Sequence, residues 1–214
     1  TRAWSTFSIE RTIGDTVADA HFGDVRALGT TLAEALNSEV RALAATGCRW
    51  IHVDEPVFAR KSTEALAHGI ENLERCFHGV GEDVKRVVHI CCGYTDQLDA
   101  VDYPKADRGA YLALSGALDE AAFDALSLED AHRHNDLALF ERFARKTLFV
   151  ALFGVARSRV ETVEEIRARL SALLDHIEPA RLMAAPDCGL GLLPRATARA
   201  KLGNLVAAAR SVET

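Results

Sequence analysis

Strands and helices alternate five times along this chain, and this alternation constrains the fold more than any single motif. Each short apolar run is followed by a stretch whose apolar residues recur every three or four positions, as on one face of a helix. Such βα alternation predicts a parallel sheet covered by helices. The predicted strands are Trp50–Asp54, Val87–Cys91, Ala125–Leu128, Thr147–Phe153 and Arg181–Ala185.

Polar residues follow all five predicted strands at or just past their carboxyl ends. In a (β/α)8 TIM barrel this rim carries the active site. We therefore predict an α/β fold of the (β/α)8 type, with a functional site at the rim. The barrel is predicted to be partial, because about five βα units are evident and the first units are missing or irregular. The polar clusters are Asp54-Glu55, His89 with Cys91, Glu129-Asp130, Arg157-Ser158 and Asp187-Cys188.

The amino-terminal region leaves three alternatives open for the missing part of such a barrel. Residues 1–24 have some β character, mainly from Trp4 to Ile13. Either they rebuild part of the wall, or the chain is a fragment, or a partner completes it, as in a homo-oligomer. We predict a single domain over residues 1–214, truncated at its amino end relative to a complete barrel.

Charge and cysteine content limit the classes of partner. The net charge of -6 gives no attraction to nucleic acid or to an anionic membrane surface. No apolar run is long enough to span a bilayer. The five cysteines are odd in number and scattered, which favours the reducing cytoplasm and metal-binding or packing roles over disulfides.

A zinc site is predicted from residues that the fold would bring together. His89 and Cys91 lie on one face of a strand end, and an imidazole beside a thiolate is half of a zinc site. The alternative is a buried thiol that only packs. Rim loops supply further ligands for Zn²⁺, giving two thiolates, an imidazole and a carboxylate. The four predicted ligands are His89, Cys91, Glu129 and Cys188.

A thiolate-rich zinc predicts thiol alkylation, because it lowers the pKa of a bound thiol and so provides a thiolate at neutral pH. The partners are then a small-molecule thiol and an alkyl donor. Asp130 competes with Glu129 as the carboxylate ligand, and Cys92 is expected in the core. The run from Glu129 to Asp136 is either a solvated loop or a source of acid–base groups, with His132 and His134 as alternatives.

Three motifs occur in a characteristic order: Asp54-Glu55-Pro56, His89-x-Cys91 and Pro186-Asp187-Cys188-Gly189-Leu190. Together they resemble the C-terminal catalytic barrel of the cobalamin-independent methionine synthase family, over about residues 32 to 206. The resemblance implies the same four zinc ligands and places the amino group of homocysteine on Asp54. It implies methyl transfer from 5-methyltetrahydrofolate to zinc-activated homocysteine, giving methionine. Asp54 and His134 are the predicted catalytic residues, and Asp54 and Glu55 are predicted to contact substrate, although Glu55 can instead shape the turn before Pro56.

The loop after the fourth strand departs from that family. Methionine synthases carry an Asp and a His there, and this chain has Arg157-Ser158-Arg159 instead. Without a general acid the folate nitrogen is a poor leaving group. Arg157, Arg159 and the Cys91-Cys92-Gly93-Tyr94 variant resemble the branch containing epoxyalkane:coenzyme M transferase. Because guanidinium groups match oxyanions, Arg157 and Arg159 are predicted to bind an anionic thiol such as coenzyme M. A truncated inactive barrel, with zinc structural or absent, is a third alternative.

Overall fold

A computed structural model describes residues 23–100 and 103–212 of the chain. The β character predicted between Trp4 and Ile13 lies outside the described residues. Five strands form one sheet in chain order, and each neighbouring pair is parallel, which confirms the predicted sheet. The strands are β1 (Trp50–Glu55), β2 (Lys85–Ile90), β3 (Ala125–Leu128), β4 (Thr147–Phe153) and β5 (Leu182–Pro186).

Helical segments connect the strands, as the apolar periodicity predicts. Helix α5 begins with the predicted capping box, in which Thr162 and Glu165 each accept a hydrogen bond from the other's backbone N–H. The segment predicted as a brief helix before β4 is a 3₁₀ helix, Leu137–Arg142. The helices are α1 (Val25–Ala45), α2 (Ser62–Glu64), α3 (Ile70–Arg75), α4 (Ala110–Glu120), α5 (Val163–Leu174) and α6 (Arg195–Ser211), and a π-helical turn, Ala65–Gly69, joins α2 to α3.

The sheet curves as the wall of a barrel does. The rings of Trp50 on β1 and Phe149 on β4 meet edge to face with centroids 6.2 Å apart. In a flat sheet, strands three positions apart are separated by about 14 Å. The α/β class and a partial (β/α) barrel wall are thus confirmed, and the described strands leave β1 and β5 as edges.

The core lies between this wall and the helices, with the central strands most deeply buried. Leu126, Leu128, Leu148 and Val150 are fully buried. At the amino end of the curved face, by contrast, Trp50 is 52% and Met183 is 40% exposed. Within the described residues, no helix combines the length and apolar character needed to cross a membrane.

Candidate metal centre and adjoining cavity

Strand register brings Asp54, His89 and Ser127 into one row across β1, β2 and β3. The imidazole of His89 is therefore held from one side: its Nδ1 lies 3.0 Å from Ser127 Oγ. Its Nε2 lies 4.0 Å from Asp54 Oδ1 and, although buried, has no hydrogen-bond partner among the described residues. A ring fixed through Nδ1 with Nε2 left over is the usual arrangement of a metal-ligating histidine.

Two sulfur atoms complete a cluster with that nitrogen. The donor atoms of His89, Cys91 and Cys188 all lie within 4.8 Å of one another. Cys91 follows β2 and Cys188 follows β5, so the curvature of the sheet is what brings them together. An unpartnered buried nitrogen beside two thiols fits Zn²⁺, which prefers nitrogen and sulfur ligands. We name His89, Cys91 and Cys188 the metal trio.

The side chains of the metal trio shift one another's pKa values. The neighbouring Cys91 thiol, followed by His89, lowers the pKa of Cys188, whereas the pKa of Cys91 is raised by its interaction with Cys188 and by burial. Cys188 is therefore the more acidic of the two thiols. Burial alone would lower the pKa of His89, but Cys188 together with the charges of Asp54 and Glu129 outweighs it and raises that pKa.

Gly93 shapes the turn that follows the two adjacent cysteines. Its φ of 140° suits glycine, and a Cβ at this position would lie 2.4 Å from the backbone oxygen of Pro104. The segment after β2 therefore packs against the segment at 104–106, where Ala106 N donates to Cys92 O at 2.7 Å. The Sγ atom of Cys91, which lies close to His89 and Cys188, accepts a hydrogen bond from Gly93 N at 3.3 Å.

Glu129, the predicted fourth ligand, lies in a neighbouring cluster. Its Oε1 accepts a hydrogen bond from Cys92 N at 2.8 Å, and its Oε2 is paired with Lys105 Nζ at 2.6 Å. The donor atoms of Cys92, Glu129 and His132 lie within 4.8 Å of one another. Glu129 is fully buried beside the trio without joining it, and the fourth-ligand role stays a prediction. Cys92 is buried, as expected of a core residue.

Asp130, the alternative carboxylate ligand, forms hydrogen bonds with Arg169 and Asn135. Arg169 donates to it twice, at 2.7 and 2.9 Å, and Asn135 donates from its backbone and side chain at 2.7 and 2.9 Å. Asp130 therefore has more hydrogen-bond donors than Glu129, whose two oxygens accept from Cys92 N and Lys105 Nζ. The choice between the two carboxylates as fourth ligand stays a prediction.

Asp187 links the loops after β3 and β5. Its Oδ1 accepts hydrogen bonds from the backbone of Asp130 and Ala131, each at 3.0 Å. Its Oδ2 lies 3.5 Å from His132 Nδ1, which is also 3.2 Å from Glu129 Oε2. His132 thus lies between two buried carboxylates, and its Nε2 is buried without a hydrogen-bond partner among the described residues. The sequence alone indicated no role for Asp187, although this residue lies inside the motif that contains Cys188.

A cavity of about 750 Å³ opens beside this cluster, between the rim loops and α5. Its wall brings together the predicted Arg157, Arg159 and His134, all of which are exposed. The same wall includes His132, the other predicted acid–base candidate, and Lys105, for which no sequence pattern indicated a role. Arg159 is paired with Glu165, and its predicted ligand contact stays a prediction.

Asp54 and Glu55 take opposite positions at the end of β1. Asp54 is partly exposed on the side of the trio, and burial raises the pKa of its carboxyl. Glu55 is 1% exposed, and its Oε1 accepts a hydrogen bond from Val57 N at 2.8 Å. The structure therefore supports the turn-shaping alternative for Glu55, and its predicted substrate contact gains no support from the geometry.

Comparison with known proteins decides the family. Residues 23–211 match the family model described as the cobalamin-independent synthase catalytic domain. The chain belongs to the cobalamin-independent methionine synthase family. It is 32% identical over 161 residues to the methionine synthase of Sulfurisphaera tokodaii. The aligned region covers 75% of this chain and 42% of that protein. Against the methionine synthase of Pyrococcus furiosus the identity is 29%, covering 78% of this chain and 44% of that protein.

A solved structure of the family shows the same fold. The B12-independent methionine synthase from Shewanella sp. W3-18-1, in complex with selenomethionine, superposes with a TM-score of 0.80 and 29% identity. The superposition covers 89% of this chain and 56% of that one. The chain therefore spans less than half the length of the curated family members it matches.

Proposed function

We propose that the chain is a zinc-dependent thiol alkyltransferase, whose reaction is methyl transfer from 5-methyltetrahydrofolate to homocysteine. Its curated relatives are named methionine synthases, and the Shewanella protein was solved with selenomethionine. The observation that carries the proposal is the metal trio, in which two sulfurs and an unpartnered imidazole nitrogen converge. We further propose a cytoplasmic location, which the odd number and scattered positions of the five cysteines favour over a disulfide framework.

The trio would hold Zn²⁺, with Glu129 as the candidate fourth ligand. When bound there, zinc would lower the pKa of a substrate thiol and provide a thiolate nucleophile at neutral pH. Asp54 lies on the β1 side of His89, where a carboxylate binds the ammonium group of an amino-acid thiol. Ser127 keeps His89 oriented through Nδ1.

His132 is the candidate proton donor to the leaving group of the donor molecule. It lies between the carboxylates of Glu129 and Asp187, on the wall of the cavity. Such carboxylates hold an imidazole in place. His134, which was predicted for this role, is exposed on the same wall. The geometry favours His132, which takes the place of the histidine that the family carries after β4.

X-ray absorption at the zinc edge of the zinc-loaded chain tests the proposal. We expect homocysteine to add one sulfur to the coordination shell of the metal, because the nucleophile must be held as a thiolate. Homoserine, in which a hydroxyl group replaces the thiol of homocysteine, is the matched control and leaves the sulfur count unchanged. If neither homocysteine nor coenzyme M changes the zinc shell, the inactive-barrel alternative is correct.

A further inference from the structure

The cavity beside the metal trio carries a positive charge that the chain as a whole does not. The protein has a net charge of -6. Among the described residues, the cavity wall has five lysines and arginines against three carboxylates. The cationic residues are Lys105, Arg133, Arg157, Arg159 and Arg169, and the acidic ones are Glu161, Glu165 and Asp187.

Ion pairs account for most of these charges. Lys105 is paired with Glu129, and Arg169 with Asp130. The carboxylate of Glu165 is paired with Arg159. The cations that remain uncompensated on the wall are therefore Arg133 and Arg157.

Arg157 differs from the other cations of the cavity wall in its lack of a bonding partner among the described residues. It forms no hydrogen bond and no ion pair with the described residues, whereas Arg133 donates to Asp107 O at 3.2 Å. Asp99 is the nearby carboxylate: the hydrogen bonds from Ser158, and then the charge of Arg157, lower its pKa. Its Oδ1 accepts from Ser158 N at 2.8 Å rather than from Arg157. An unpaired guanidinium on a cavity wall matches an oxyanion of a ligand.

Hydrogen bonds hold the loop that carries Arg157 on both sides of this residue. Ser158 N donates to Asp99 Oδ1, and Asp99 N donates to Ala156 O at 2.8 Å. At the other side the fully buried Lys201 donates to Gly154 O at 3.0 Å and to Glu161 Oε2 at 2.7 Å. The backbone under Arg157 is thus set before any ligand arrives, which lowers the entropy cost of binding.

We infer that this cavity is a binding site for an oxyanion group, a carboxylate, sulfonate or phosphate, with Arg157 as its main contact. The oxyanion belongs to the alkyl donor, because Asp54 flanks the trio from β1 and does not line the cavity, which lies on the side of β3, β4 and β5. Only this last assignment depends on the proposed function. The anion site itself is independent of it.

Calorimetric titration of the metal-free chain with sulfate, phosphate and ethanesulfonate, at constant ionic strength, tests the site. We expect saturable binding that Arg157→Gln weakens at least about tenfold, the usual loss for one charge-assisted contact. Arg159→Gln, two residues away and paired with Glu165, is the matched control and changes affinity less than about threefold. Absence of saturable binding, or equal weakening by both substitutions, would overturn the inference.

A second titration separates the two sources of the oxyanion. Ethanesulfonate, 2-mercaptoethanesulfonate and 2-mercaptoethanol are compared in the metal-free and the zinc-loaded chain. If the donor supplies the oxyanion, both sulfonates bind equally without metal, and zinc leaves the affinity for ethanesulfonate unchanged. If Arg157 strengthens 2-mercaptoethanesulfonate binding only in the zinc-loaded chain, the oxyanion belongs to the thiol and the assignment to the donor is wrong. The sulfur count at zinc tests the proposed function separately from both results.

Discussion

Selected polar groups at the two ends of the sheet differ in their hydrogen bonding. At the amino end, Asp124 accepts two hydrogen bonds from the Arg86 guanidinium, at 2.9 and 3.0 Å, and one from Arg86 N at 2.8 Å. There too, Lys146 Nζ donates to Ala121 O at 2.6 Å. At the carboxyl end, the Nε2 atoms of His89 and His132 are buried without a hydrogen bond among the described residues.

This difference separates stability from function along one sheet. A buried polar group without a partner costs about 1–3 kcal/mol, and at the carboxyl end a bound ligand would supply the missing interaction. We therefore expect substitutions at the carboxyl end to change ligand binding and substitutions at the amino end to change the free energy of unfolding. The same division holds for (β/α) barrels in general.

The largest expected effect is loss of the metal on changing a trio sulfur. Cys188→Ser should weaken zinc binding about a thousandfold or more, because the thiolate ligand is lost. The free energy of unfolding of the metal-free chain should change by less than about 1 kcal/mol. Competition with a chromogenic chelator measures the affinity. Cys92→Ser, the matched control outside the trio, should keep zinc, and equal loss from both would show that the trio is not the metal site.

Lys105 tests the division between the two ends of the sheet, because its ion pair with Glu129 places a stabilising interaction at the carboxyl end. Lys105→Met leaves the fully buried Glu129 carboxylate without its ion pair, and should lower the free energy of unfolding by about 3 kcal/mol. Urea unfolding of the metal-free chain measures the loss. The exposed pair Lys61–Glu64 provides the control, and Lys61→Met should have little effect. An unchanged unfolding midpoint for Lys105→Met would mean that the Lys105–Glu129 ion pair does not stabilise the fold.

How far the sequence predicts this molecule depends on whether an interaction is local. The five strands and the capping box at Thr162 follow from periodicity and spacing within a few residues, and they are confirmed. The convergence of Cys91 with Cys188 was predicted from the rim of a barrel and not from local spacing, because it depends on sheet curvature. The ion pair of Lys105 with Glu129 joins residues 24 positions apart. No short-range pattern indicates such a pair, or shows that Arg159 is paired while Arg157 is not.

The pair Arg86–Asp124 tests the stabilising role of the amino end. Burial alone would raise the pKa of Asp124, but the hydrogen bonds from Arg86 outweigh it and the pKa is lowered. The stability from this pair is therefore fully present above the unfolded pKa of about 3.9 and is lost as the pH falls through the lower folded value. Asp124→Asn should cost about 1–2 kcal/mol at pH 7, and the difference from wild type should shrink below pH about 3.9. Urea unfolding at several pH values measures it. A loss that is constant down to acid pH, or a change in zinc affinity, would contradict this assignment.

The smallest expected effect concerns Ser127, which touches the metal trio only through His89. Ser127→Ala removes the hydrogen-bond partner of Nδ1, at 3.0 Å, so that the ring can rotate and its tautomer is no longer fixed. Outer-shell partners of metal-ligating histidines are worth about 10–100-fold in affinity, and we expect zinc binding to weaken about tenfold. The matched control is Ser115→Ala, which removes a buried hydroxyl on α4 that donates to Leu112 O and should leave zinc affinity unchanged. Because the two serines are similarly buried, a shared loss of stability cancels between them, and any difference in zinc affinity is due to the orientation of His89. Equal zinc affinity in both variants would mean that packing alone orients the imidazole.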